Sequence, residues 1–170
     1  MSYDVEIKIF GKASDPEAVW ELAKAAACEG KVDWIGAVPV DGFADLIEKT
    51  ARAGQPLSLG KHDTTDFFEE VRSCCQEASL SYVVKFGAKG MEGFSEGISW
   101  RPGMKDEFSF HLDGKDPVLR VADVRRAAKI GIAAVAALVE AVSGHAVTGA
   151  IETEPGFAEA YRVCAGIPAP

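Results

Sequence analysis

The chain has 170 residues, of which 48% are hydrophobic and 26% are charged. These values are typical of one globular domain that buries roughly 70% of its unfolded surface without disulfides or metals, and they exclude a disordered or fibrous protein. Eighteen basic and twenty-six acidic residues give a net charge of −8, which repels phosphate backbones and argues against nucleic acid as a partner.

The N-terminal part alternates strand and helix patterns. Residues 3–10 alternate apolar and charged side chains, which predicts a strand with one buried face. Ser14, followed by Pro16 and Glu17, is typical of a capping box and predicts a helix that ends before Gly30. The patterns that follow predict a strand, a helix, a short strand and a helix in residues 32–38, 41–54, 56–60 and 66–78.

Three strand patterns separated by turn residues predict a β-meander in residues 80–112. We expect its large apolar residues to share one face, namely Tyr82, Val84, Phe86, Phe94, Ile98, Trp100, Phe108, Phe110 and Leu112. The opposite face carries small and polar side chains, and we expect it to stay in contact with water.

Residues 118–143 carry the most hydrophobic helical pattern of the chain. Asp116 and Pro117 are typical of a helix start, and we expect one long buried helix that covers the aromatic face of the meander. Its uninterrupted apolar run, residues 130–139, is shorter than the roughly 20 residues of a membrane span, so no membrane association is expected. A short last helix is predicted within residues 155–164.

Together these patterns predict the α+β class. We expect a single domain over residues 1–170, with a mixed sheet that includes a C-terminal-half β-meander packed against helices. The long buried helix near residues 118–143 is its central scaffold.

The N-terminus lacks the basic, apolar and small-residue series of a secretory signal, which favours a cytoplasmic location. Cys28, Cys74, Cys75 and Cys164 have no C-x-x-C spacing and lie in apolar or helical contexts. We therefore expect four reduced, buried thiols and no structural disulfide.

Candidates for catalysis are few. His62 beside Asp63 has the composition of an acid–base pair, and His111 is a third candidate. Asp63 also suits a turn or helix cap, and the histidines lack metal-ligand spacing, so we expect no metal.

Residues 54–61 end in Gly-Lys like a phosphate-binding loop, but their glycines are one residue too far apart. We therefore expect no cofactor.

The main functional hypothesis is a small acidic cytoplasmic protein that binds another, basic protein. The most specific version of this hypothesis is an inhibitor or immunity-type protein. Glu92, Glu96 and Glu107 lie in or beside the meander and are the candidate partner-binding residues. The alternative is a small-molecule-binding domain or enzyme with a pocket near His62 and Asp63, between sheet and helices, and convergence of these residues with His111 in an enclosed pocket would favour it.

Overall fold

Antiparallel strand pairing organises the fold. The computed structural model describes residues 1–90 and 92–168. The strands are β1 Tyr3–Ala13, β2 Lys31–Val32, β3 Gly36–Ala37, β4 Leu57–Thr64, β5 Ser81–Ala88, β6 Phe94–Trp100, β7 Phe108–Gly114, β8 Asp116–Val118 and β9 Ile151–Thr153. The helices are α1 Pro16–Glu29, α2 Phe43–Arg52, α3 Glu69–Glu77, α4 Val121–Ile130, α5 Ile132–Ala146 and α6 Phe157–Ala165. The expected α+β class is confirmed.

The strand order is β3-β2-β4-β1-β5-β6-β7-β8, and these neighbours run antiparallel. The sheet is mixed, as expected, because residues 11–13 of β1 pair in parallel with β9. Gly11, at φ 101°, lies where β1 changes partners. Strands β5, β6 and β7 form the predicted meander.

Most local predictions hold, with small changes at the ends of elements. Helix α1 begins at Pro16, but the cap is Asp15 rather than Ser14, and its carboxylate accepts hydrogen bonds from the amides of residues 17 and 18. The single strand expected in residues 32–38 is a hairpin of β2 and β3. Asp116 and Pro117 do not start a helix, because they lie in β8 and pair with β7.

One face of the sheet is covered by α1, α2, α3 and α6, which we call the four-helix layer. Side chains of directly paired residues lie on the same face of a sheet. Ile7 pairs with Leu59 on one side and with Val84 on the other, so all three side chains lie in the main core beneath the four-helix layer. Ile98, paired with Val84, extends the same face into the meander.

The other face holds a second core, and this corrects the predicted meander. Phe108 pairs with Ser99, and Ser99 pairs with Val83, so Phe108 lies on the face opposite Val84 and Ile98. Phe10, Val83, Phe110, Leu112 and Val142 are the buried members of this second core. The expected single aromatic face was wrong because a register offset of one residue reverses the side of every side chain in a strand.

The prediction of one long buried helix was also wrong. It breaks at Gly131, at φ 141°, into α4 and α5. Helix α5 packs Leu138, Val142 and Ala146 on the second core, whereas Ile132 is 85% exposed. The apolar pattern therefore covers only part of one sheet face.

The C-terminal end of α5 is fastened to the meander. The hydroxyl of buried Ser99 lies 3.0 Å from Nδ1 of His145. The ring of Phe108 stacks on the imidazole at a centroid distance of 4.2 Å. Arg101 donates hydrogen bonds to the carbonyls of Gly144 and Val147, a favourable arrangement for a cation at a helix C-terminus.

The cysteines differ from one another in their surroundings. All four are free thiols, as expected. Burial raises the pKa of Cys75 well above its usual value, so this thiol is an unreactive core residue. Cys28 and Cys164 are exposed, which corrects the expectation that all four are buried.

We predict that Ile7→Ala lowers the free energy of unfolding by about 2–5 kcal/mol, because Ile7 is fully buried. In dilute, monomeric protein Ile132→Ala should change it by no more than about 0.5 kcal/mol, since the side chain is 85% exposed in the single chain. Urea denaturation of both variants measures the two effects. Equal midpoints would show that the cores are assigned incorrectly.

A second prediction concerns pH. Burial, and then the positive charge of Arg101, lower the pKa of His145 below its ordinary value of 6.5. The unfolded chain therefore binds this proton more readily, and stability should fall as the pH decreases through 6.5. His145→Gln should show a smaller loss of unfolding free energy between pH 7.5 and pH 5.5 in urea titrations. An identical loss in both proteins would contradict this role of His145.

Candidate binding site

The turn between β2 and β3 has an unusual backbone. Asp33 and Trp34 have φ values of 46° and 70°, and the amide of Ile35 donates to the carbonyl of Val32 at 3.2 Å, which closes the turn. Hairpins normally place Asn and Gly at such positions. A left-handed conformation costs about 1–3 kcal/mol for other residues, so the rest of the fold must hold Trp34 in place.

Gly60 makes room for the Trp34 ring. A Cβ atom added to Gly60 would lie 2.3 Å from the indole, so the ring rests directly on the backbone of β4. The His62 ring lies 4.7 Å from the indole, between centroids. The Phe94 ring lies 6.4 Å from it, with an interplanar angle of 19°. Trp34 is therefore positioned by β4 and β6 together.

These rings border a cavity of about 170 Å³ on the sheet face that also carries α5. We call it the aromatic site, and its lining residues are Asp4, Trp34, His62, Gly87, Ala88, Gly93 and Phe94. A Cβ atom on Gly87 would lie 2.5 Å from the Gly93 carbonyl oxygen. This close backbone approach keeps the floor of the site free of side chains.

The carboxylate that partners His62 is Asp4, not Asp63. Nδ1 of His62 lies 3.1 Å from the Asp4 carboxylate, which also accepts the Asp63 amide at 3.4 Å. The Asp63 side chain pairs with Lys89 at 2.5 Å. Its hydrogen bond to Lys89 is the main cause that lowers the pKa of Asp63. The structure therefore places Asp63 in an ion pair at the rim of the sheet.

His111 does not join this site. It pairs with Glu96 on β7 and β6, and Glu96 pairs with Phe86, so His111 lies on the face of the four-helix layer. His62 lies on the opposite face, and β1, β5 and β6 separate β4 from β7. Convergence of the two histidines in one pocket, which would favour the alternative hypothesis, therefore does not occur.

The three candidate glutamates lie apart. Glu92 precedes β6, Glu96 lies within β6, and Glu107 lies at the opposite end of the meander. Glu107 accepts hydrogen bonds from Arg72 at 2.6 and 2.7 Å and from Tyr82. Burial, together with this carboxylate, raises the pKa of Tyr82. Glu107 therefore joins α3 to the meander instead of standing free for a partner.

The net charge is concentrated on one side of the sheet. Residues 15–29, 41–52, 66–77 and 154–165, which contain the four-helix layer, carry thirteen acidic and five basic side chains. The rest of the chain carries thirteen of each sign, so these segments account for the whole charge of −8. Sequence composition alone did not show this separation.

A second cavity, of about 360 Å³, adjoins the aromatic site. Trp34 and His62 line both cavities, and Glu29 at the end of α1 lines the second one. The edge of the sheet at β2 and β4 therefore brings Trp34 next to the end of α1, and Lys31 and Lys61 line the same cavity.

Within residues 1–90 and 92–168, no three His, Cys, Asp or Glu side chains are grouped so that they could hold a metal ion. No helix in these residues is long and apolar enough to cross a membrane. Comparison with family models, with curated proteins and with solved structures gives no match for this chain.

We predict that Gly60→Ala displaces Trp34, because the added methyl group overlaps the indole. Acrylamide quenching of tryptophan fluorescence should increase, and the increase should vanish when Trp34→Phe is combined with it. Gly144→Ala is the control, since nothing lies within 4 Å of a Cβ there. Unchanged quenching in Gly60→Ala would contradict the packing of Trp34 on β4.

Proposed function

We propose that this chain is a non-enzymatic protein that binds a basic protein, and that the aromatic site receives a basic side chain of that partner. The observation that supports this most is the strained turn that holds Trp34 beside Phe94 and the Asp4 carboxylate. Strained backbone that the surrounding structure maintains is found preferentially at functional sites.

The chemistry of the site suits a guanidinium or ammonium group. Tryptophan is the best side chain for cation–π contact, at about 0.5–1 kcal/mol where exposed and about 2 kcal/mol where desolvated. Asp4 adds a carboxylate in the same cavity, and a charged hydrogen bond to it would fix the orientation of the guest. Tryptophan and arginine are also the residues that most often dominate protein interfaces.

The size of the site favours a side chain over a free ligand. Small-molecule pockets usually have volumes of about 300–1,000 Å³, whereas this cavity has about 170 Å³. A protein partner gains the remaining contacts on the surrounding surface, which includes the exposed Ile35 next to Trp34.

Charge supports a basic partner as well. The segments that contain the four-helix layer carry the whole net charge of −8, and Glu29 of α1 lines the cavity beside Trp34 together with Lys31 and Lys61. At physiological ionic strength exposed charges act over about 8 Å, so the acidic exterior of the four-helix layer would steer a basic partner that approaches it.

An inhibitor or immunity-type protein that neutralises a basic protein is the sharpest form of the proposal. We also propose a cytoplasmic location, because the chain keeps four free thiols and a reducing compartment preserves such thiols.

A small-molecule-binding protein or enzyme is the second candidate. The observation in its favour is the pair of His62 and Asp4, 3.1 Å apart, between the aromatic site and a cavity of about 360 Å³ that falls within the range for small ligands. A histidine oriented by a carboxylate is a frequent acid–base arrangement.

N-acetyl-arginine amide and its neutral citrulline analogue distinguish the two candidates. We expect the arginine compound to shift the NMR signal of the Trp34 indole N–H in a saturable way. The citrulline analogue should bind about fivefold more weakly, since it lacks about 1 kcal/mol of cation–π attraction. Trp34→Ala should abolish the response and Asp4→Asn should weaken it, while Glu96→Gln, an exposed control outside the site, should leave it unchanged.

Equal binding of both compounds would favour the small-molecule candidate, and no saturable shift with either would contradict a basic guest. The partner itself can then be captured from native cells with wild-type protein, with Trp34→Ala as the matched control.

A further inference from the structure

Helix α5 exposes an apolar face that no part of the described chain covers. Ile132 is 85% exposed and Val139 is 43% exposed. Ala133, Ala136 and Ala137 are exposed between them. Among the Asp, Glu, Lys and Arg residues of the chain, Glu140 alone lies in this helix. Contiguous apolar surface of this kind marks a contact with another molecule.

The spacing on this face suits another helix. Ile132, Ala136, Val139 and Ser143 follow one another at steps of four, three and four residues, and all four are exposed. Such steps form a straight seam along a helix, which is the pattern that a partner helix packs against. The side of α5 that packs on the second core, with Leu138, Val142 and Ala146, lies about a quarter of a turn around the helix from this seam.

The seams of two α5 helices fit together when the helices run antiparallel, but not when they run parallel. If a second α5 runs antiparallel, Ile132 faces Ser143 and Ala136 faces Val139, so each large side chain meets a small one. If it runs parallel, Ile132 faces Ile132 and Ser143 faces Ser143, which crowds one end and leaves a gap at the other. Alternation of large and small residues across an interface gives close packing.

We propose that α5 pairs with α5 of a second copy of this chain, antiparallel about a two-fold axis between Ala136 and Val139. Such an isologous contact closes on itself and gives a dimer.

The distribution of charge permits this dimer. The segments that carry the charge of −8 lie on the opposite side of the sheet from α5, so the sheet separates each acidic layer from the α5 seam. Residues 120–146, which contain α4 and α5, carry four basic and two acidic side chains. Charges separated by more than about 8 Å are largely screened, so the acidic layers do not oppose association.

The dimer uses residues outside the aromatic site. The lining residues of that site belong to β1, β4, β5, β6 and the adjoining turns, and none of them belongs to α5. A dimer would therefore present two sites, and a partner with two basic segments would bind it more tightly than a monomer. The dimer does not depend on the proposed function, because either can fail without the other.

Analytical ultracentrifugation over a concentration series tests association. One pair of alanine-rich helices is a small interface compared with the roughly 1,200–2,000 Å² of stable complexes. We expect a monomer–dimer equilibrium that Ala136→Glu shifts to monomer at least tenfold. Ala160→Glu, at an exposed position on α6, is the matched control and should behave as wild type. A monomer at every concentration would overturn the proposal.

Cross-linking tests the direction. Cys28, Cys74 and Cys164 are first replaced by Ser, and Ile132→Cys and Ser143→Cys proteins are treated with a short thiol cross-linker. In the antiparallel dimer the two positions face each other, so the mixture should give cross-linked dimer. Each variant alone should give little, because its two thiols are about 16 Å apart along the helix axis at 1.5 Å per residue. Cross-linking of each variant alone, but not of the mixture, would overturn the antiparallel arrangement.

Discussion

Strand β1 pairs through residues 3–9 with β4 on one side and through residues 3–10 with β5 on the other. From Gly11 onward, its last three residues pair with β9. This one strand therefore connects the N-terminal hairpin, the meander and the C-terminal segment. Val5, Ile7 and Ile9 are fully buried beneath the four-helix layer, so the pairing and the main core fix the same register. A shift of one residue would expose these three side chains and bury charged ones.

The same register assembles the aromatic site on the outer face. The alternate residues of β1 point away from the four-helix layer, and Asp4 is one of them. His62 reaches it from β4, Trp34 from the β2–β3 turn and Phe94 from β6. The strain of the turn is offset by the packing of Trp34 on Gly60. Stability of the sheet and geometry of the site are thus linked through β4.

The two sides of the sheet differ in their chemistry. The four-helix layer is a closed apolar core with an acidic exterior. The other side has a smaller core, an aromatic cavity and a helix with exposed apolar residues. Net charge keeps the first side hydrated, and contacts that need desolvation are available on the second. This separation is the physical basis for assigning the binding surfaces to the second side.

Sequence patterns determined the α+β class, the meander, and helices α1, α2, α3 and α6, because capping residues and hydrophobic periodicity act within one turn or one strand. They also identified His62 as a candidate, although they predicted the adjacent Asp63 as its partner, whereas the structure pairs His62 with Asp4. Only the tertiary structure decided which face each meander strand presents, since this depends on the register between Ser99, Val83 and Phe108. It also decided that α4 and α5 are separate and largely exposed, because the apolar pattern of residues 118–143 is the same whether a helix is enclosed or awaits a partner. Asp4, Trp34 and Phe94 belong to segments up to 90 residues apart and carry no shared motif, so strand pairing alone brings them together.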